Sequence, residues 1–378
     1  QKITTAFASG EVGNVMYNIG NASRIQSGLI DPIDDYLTDE LLSDWLPGMK
    51  EAVTWDGRTY GVPYFANPHF TTLSQTALEK YGCGDLLKDI GEDRSKVTHD
   101  LMWEYGQKFG DKATRFFFGV PCDHGSIVYW MFGSWLEGWG VRSWDEAEER
   151  WQVADFDESV QAFEWLVKGA DEGILPPGES LPKYSDIDNL FWSENIAARL
   201  QWAGIQAKLE VAQDAGQASK DFKLYFAAIP HRADLPAKAG GVDPGAYNIG
   251  RTKDPNVREA SFMFAYFLAS DPVNGYGLLT EGLFPVYKKA VEYVKDHPRM
   301  SDPNVKWILE TYIKYEPESP GGNWQPKFNA RSNKLWNELD PFSYYVQQFQ
   351  SLMLKQKTAK EMLQEMAQTI NTKLGAKV

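Results

Sequence analysis

Cysteine, histidine and clustered positive charge are all scarce in this chain of 378 residues. Its two cysteines, Cys83 and Cys122, fit neither the spacing of a zinc site nor a Cys-x-x-Cys redox pair. Two readings stay open for them, a disulfide in an oxidising compartment or a pair of buried thiols. The five histidines (His69, His99, His124, His231 and His297) are scattered, so neither a metal nor any other cofactor is expected. His69 and His124 stand apart because each follows a strand end marked by a proline.

Long apolar runs are missing too, with none near the roughly 18 residues a membrane-spanning helix needs. No basic and then apolar segment opens the chain, so an export signal has been removed or was never present. The formal net charge is −14. An acidic chain without a basic cluster lacks what nucleic acid and anionic membranes reward, and neither is an expected partner. Catalytic signatures are absent as well. There is no Gly-x-x-x-x-Gly-Lys run, no dinucleotide fingerprint, no His-Glu-x-x-His and no Gly-x-Ser-x-Gly. Acidic pairs such as Asp34-Asp35 and Glu148-Glu149 are plentiful. A glycosidase needs two carboxylates about 5–10 Å apart across a sugar, and sequence spacing alone does not supply that.

What the chain has in quantity is aromatic surface: 14 Trp, 18 Tyr and 20 Phe. Large aromatics fill cores, yet several of these fall beside Gly, Asn and Gln. Trp130, Trp135 and Trp139 crowd in and beside MFGSWLEGWG, Trp192 and Trp202 bracket SENIAARLQ, and Trp324 sits in GGNWQPK. Such positions suit flat faces offered to a ligand.

Local patterns predict alternating helices and short strands, hence an α/β fold. Residues 1–9 read as the last turns of a helix closed by Gly10, and residues 14–19 as a strand. The segment WDGRTYGVPYFANPHF, residues 55–70, reads as a strand stopped at Pro63 and followed by an irregular polar and aromatic stretch. Further strands are expected at 116–121, 197–202 and 223–230. A helix over 157–173 would bury Val160, Phe163, Val167 and Ala170 and stop at Gly173. Another starts at Asp254-Pro255 with Ala260, Phe264 and Phe267 inward. The last opens on a Thr358/Glu361 capping box and buries Met362, Met366 and Ile370. No internal repeat or flexible linker is visible.

Several segments occur in an order that resembles the bacterial extracellular solute-binding proteins, the receptors of ABC importers, in the carbohydrate-binding group that includes maltose-binding protein. They are Ala8-Ser9-Gly10, GLIDPID from Gly28, DGRTYGVP from Asp56, FWSENIAARLQWAG, AAIP, GGVDPGAYNIG, REASFMFAYFLAS and EGLFPV. Three features depart from the family pattern. Gly13-Asn14 stands for the usual Pro-Asp, Leu73-Ser74 for Tyr-Asn, and the opening strand, helix and strand are not in the sequence.

The resemblance implies a two-lobed periplasmic-binding-protein fold, a Venus flytrap with hinge crossovers between lobes. Residues 1–66 plus 245–292 would form the N-terminal lobe, and 67–244 plus 293–378 the C-terminal lobe. It implies no enzyme but a monomeric receptor that captures a carbohydrate, an oligosaccharide, between its lobes. The receptor would then dock on a membrane permease, either free in a periplasm or tethered by a lipid. The ligand-binding residues it suggests are Trp202, Tyr64, Asn67, His69, Trp130, Trp135, Asp243, Tyr247, Trp324 and Arg199. Alternatives accompany several of them. Trp202 and Trp336 also suit the core, Asn67-Pro68 also suits a plain turn, and Arg199 also suits a surface salt bridge. A hydrolase or lyase acting on acidic glycans is the rival from another class. A receptor for a polyamine, peptide or organic acid is the rival within this one.

Overall fold

In the computed structural model the chain divides into two compact units. The structure describes residues 13–17, 24–25, 27–55, 57–123, 125–145, 148, 150–237, 242–312, 339 and 341–376. The helix end expected at residues 1–9, together with His124, Trp324 and Trp336, lies outside them. Among the described residues no helix is long and apolar enough to cross a membrane.

The first unit takes residues up to Pro68 and resumes at Val242. Its sheet is organised on the strand Val242–Gly250. That strand runs antiparallel to Val15–Tyr17, to Ile30–Asp31 and to the first half of Val62–Ser74. Phe284–Pro285 adds a short pairing at Phe65 and Ala66. The strand Val62–Ser74 therefore does not stop at Pro63, as the sequence suggests, but runs for 13 residues through two prolines. Proline is tolerated in a strand where no ladder bond is owed. Pro63 falls at the bulge between Gly245 and Ala246, and Pro68 at the end of its partner, opposite Val242. At that bulge a Cβ on Gly245 would lie 2.3 Å from the Phe65 ring, so only glycine lets the two strands close.

The core of this unit gathers Ile33, Trp45, Val62, Ile249, Phe262, Ala265, Val286 and Tyr287. Asp254 caps the helix Pro255–Ser270 as the sequence suggests, accepting from the Asn256 and Val257 amides. The inward face is different. Ser261, Phe262, Ala265 and Ala269 are buried, whereas Ala260, Phe264 and Phe267 are exposed. The helix is apolar nearly all round, so periodicity does not single out one face, and the small residues take the close-packed side. Residues 293–312 also stay with this unit rather than the other. His297 holds them there: its ring centroid lies 4.0 Å from that of Tyr276, and its Nε2 is 3.3 Å from Thr280 Oγ1.

The second unit takes residues from His69 to 241 and the C-terminal helices. The second half of Val62–Ser74 pairs antiparallel with Leu224–Ala227 on one side and Ile196–Trp202 on the other. Phe116–Gly119 completes the sheet, parallel to Ile196–Trp202. A parallel pair needs a long crossover, here supplied by helices including Gly125–Gly138, Asp157–Glu172 and Tyr184–Trp192.

In Asp157–Glu172 the chain stops at Gly173 with φ 77°, as the sequence suggests. The buried stripe is Ser159, Ala162, Phe163, Leu166 and Gly169, about one position round from the expected one. The capping box at Thr358 and Glu361 forms, and Met362, Met366 and Ile370 are buried. Cys83 and Cys122 are both free and buried, which settles them as thiols. Burial pushes the Cys122 thiol up to about 12.

Candidate functional site

Each unit carries its own cluster of aromatic and polar side chains on the shared strand or its neighbours. In the first unit, strand register does the assembling. Tyr247 lies directly opposite both Tyr17 and Val62, and Tyr64 is two residues beyond Val62 on the same strand face. The Tyr64 and Tyr247 rings are 4.8 Å apart at 36°, and Tyr17 meets Tyr247 at 6.0 Å and Tyr64 at 6.5 Å, both edge-on. Tyr64 and Tyr247 are half-buried, while Tyr17 is 46% exposed. Burial, then the neighbouring Tyr64 phenol, pushes the Tyr247 hydroxyl well above its usual range, so it stays a proton donor.

Asn67 lies on the same strand, opposite Asp243. Its Oδ1 is buried without a hydrogen-bond partner among the described residues. An orphaned buried acceptor costs on the order of 1–3 kcal/mol, so it marks a place where a donor from elsewhere is stabilising. The side chain of Asp243 lies outside the described residues.

In the second unit, His69 and Trp202 face each other across the strand pair, with rings 6.4 Å apart. Trp202 is half-buried and lies parallel to Tyr184, with centroids 6.3 Å apart and planes 6° from coincidence. The Tyr184 hydroxyl accepts from Gln201 Nε2 and from Lys208 Nζ, each at 2.9 Å. Burial pulls the His69 imidazole down to about 4, so near pH 7 it is neutral, with one ring nitrogen a donor and the other an acceptor. The set offers flat apolar faces bordered by hydrogen-bonding groups.

Two of the sequence-derived candidates are elsewhere. Trp135 is 1% exposed, donates from Nε1 to the Ala162 carbonyl at 2.9 Å, and packs among His99, Phe118 and Trp165. It is a core residue because its helix, Gly125–Gly138, buries most of its length. Arg199 is not at the surface. It is 1% exposed and bound to Asp188, with its guanidinium over the rings of Tyr184 and Phe191. Those three partners stand at i, i+4 and i+7 of the helix Tyr184–Trp192 and together sheathe the charge. Trp130 lies on the same helix as Trp135, and its side chain is outside the described ones.

Sequence reasoning missed Tyr17, Tyr184 and Lys208. Tyr17 had a signal, since it is the last residue of a strand whose register brings it to Tyr247. Tyr184 and Lys208 reach Trp202 only through helix packing, which no local pattern encodes.

Residues 1–305 match the family model of bacterial extracellular solute-binding proteins, and the chain belongs to that family. Its members are binding proteins and not enzymes. A binding protein of Brucella abortus (strain 2308) is 21% identical over 344 residues, 89% of this chain and 76% of that one. A solute-binding protein of an ABC transporter from Thermotoga lettingae, solved with α-D-tagatose, superposes with a TM-score of 0.75 at 18% identity, covering 99% of this chain and 88% of that one. UgpB from Mycobacterium tuberculosis, solved with glycerophosphocholine, gives 0.75 at 16%, covering 99% and 87%. Other chains of this fold hold maltose or laminaribiose. At such identities the likeness speaks for the fold: this is a two-lobed α/β solute-binding protein.

Proposed function

We propose that the chain captures a carbohydrate outside the cytoplasm and delivers it to the permease of an ABC importer. The observation that carries this reading is Trp202. It is half-buried, parallel to Tyr184, and bordered by the neutral His69 and by Gln201 and Lys208. Sugars present C–H faces that pack on such rings and hydroxyls that both donate and accept. Neutral His69 and Asn67 Oδ1 match that mixture of roles.

In the first unit Tyr64, Tyr247 and Tyr17 offer a second aromatic surface, and the backbone of Asp243 pairs with Asn67 beside it. We assign Trp202, Tyr64, Asn67, His69, Tyr247 and Asp243 to ligand binding. The protein acts as a monomer, because one receptor delivers one solute at a time, and its net charge of −14 argues against a nucleic-acid partner. The family is extracellular by description, and a lipid tether would keep such a receptor near its permease.

The test is a thermal-shift screen against mono- and oligosaccharides, uronates, polyamines, peptides and organic acids, with the solute recovered and analysed after each hit. A ligand that binds only the native state raises its stability by RT ln(1 + [L]/Kd). A sugar that stabilises the chain and returns unchanged supports the receptor reading. Stabilisation by a polyamine or peptide and by no sugar removes the carbohydrate. A sugar returned cleaved removes the receptor.

A further inference from the structure

Lys208 is a half-buried cation that pairs with no carboxylate among the described residues. It stands in the first turn of the helix Ile205–Asp214, directly after the Trp202 strand. Its ammonium donates to Tyr184 Oη at 2.9 Å and lies 4.9 Å from the centroids of both the Tyr184 and the Trp202 ring. Among the described residues no Asp or Glu forms an ion pair with it. Asp188, on the neighbouring helix, is committed to Arg199.

This is an unusual arrangement in a chain with 52 acidic residues against 38 basic ones. It is also at the wrong end of a helix, since the first turn favours anions and disfavours cations. Cation–π contact with two rings offsets part of that cost. It leaves Lys208 with two N–H groups beyond the one given to Tyr184. A cation with no counter-ion among the described residues, beside the flat face of Trp202, would be complemented by a negative charge on a ligand.

We propose that the solute is an anionic sugar and that Lys208 receives its charged group while Trp202 takes a ring face. This rests on the carbohydrate reading and narrows it. The ammonium is a point charge and serves a uronate carboxylate or a sugar phosphate equally, so the shared chemistry is one anionic group on a sugar ring.

The test compares oligomers of galacturonate, glucuronate and mannuronate with their neutral methyl esters, and hexose 6-phosphates with the parent hexoses. Calorimetric titration is run on the wild type, Lys208→Met and Lys208→Arg, each confirmed folded by its melting curve. The acidic member of one pair is expected to bind more tightly than its neutral counterpart, with a preference that shrinks as salt is raised. Lys208→Met should weaken that acidic ligand by about ten- to hundredfold, the scale of a charge-assisted hydrogen bond, and the neutral one by a clearly smaller factor, so that the acidic preference is lost. Lys208→Arg should restore much of the preference. Whether the binding pair is a uronate or a phosphate identifies the group. If a neutral sugar binds the wild type as well as or better than its acidic partner, or Lys208→Met leaves the acidic preference intact, the inference is overturned while the carbohydrate reading stands. If the wild type binds no sugar of either kind, both fall.

Discussion

His69 and Trp202 stand directly opposite each other where the strand Val62–Ser74 meets Ile196–Trp202, their rings 6.4 Å apart. His69 is the first residue of the second unit, one position past the Pro68 that ends the opening stretch of the first. The start of the second unit and the strongest stacking candidate are thus fixed by one ladder of backbone hydrogen bonds. Whatever perturbs that ladder perturbs both.

The burial of His69 makes stability depend on pH. Burial lowers its imidazole from 6.5 to about 4, and burial lowers His99 to about 3. Both groups are neutral when folded and protonate more readily when unfolded. Their stabilisation is complete above about pH 6.5 and is lost as pH falls, through about 4 for His69 and about 3 for His99. The shifts amount to at most about 3 kcal/mol for His69 and about 5 kcal/mol for His99. Urea unfolding at several pH values between 7 and 4 should show stability falling, and His69→Gln should flatten the curve. An unaltered slope in that variant would count against the assignment.

The buried Arg199 is paired with the half-buried Asp188. Asp188→Asn strands the guanidinium in the interior, and the expected loss is about 3–5 kcal/mol. Denaturation midpoints measure it. A loss near zero would mean that water reaches Arg199 freely.

Gly245 lets the strand bulge approach Phe65. Gly245→Ala places a methyl group against the ring and should cost about 1–3 kcal/mol by overpacking. The same displacement should weaken ligand binding through Tyr64, one residue from Phe65. Stability measured alongside affinity separates the two effects, and a fully stable variant contradicts the packing argument.

Cys83 and Cys122 are buried free thiols, with the Cys122 thiol pushed up to about 12 by burial. Thiolate is the reactive form. A chromogenic disulfide reagent should therefore react slowly with the native chain and at once, with two equivalents, after unfolding in denaturant. Rapid native reaction at either residue would contradict its burial.

The helix ends were legible in the sequence because caps are local. Asp254-Pro255, Gly173 and the Thr358–Glu361 box each owe their role to residues within four positions. Inward faces were harder to read where a helix is apolar all round, as in Pro255–Ser270. The length of Val62–Ser74 was hidden because a proline reads as a stop until its partner's bulge is known.

For the site, Tyr64, Asn67, His69, Tyr247 and Trp202 follow from the family resemblance, which sets them at crossover segments or in a segment that often carries a stacking aromatic. Trp135 and Arg199 carry no local mark of their near-complete burial at 1% exposure, which sets them apart from the half-buried Tyr64, Asn67, Tyr247 and Trp202. Lys208 carried no signal, since the rings beside it and the lack of a carboxylate among the described residues come only from tertiary packing.

Trp202→Ala tests the central claim most directly. Calorimetric titration of the sugar that best stabilises the wild type should give one site per chain. The variant, still folded, should lose about 2 kcal/mol, roughly thirtyfold in Kd. A folded variant that binds the sugar as tightly as the wild type would contradict the account.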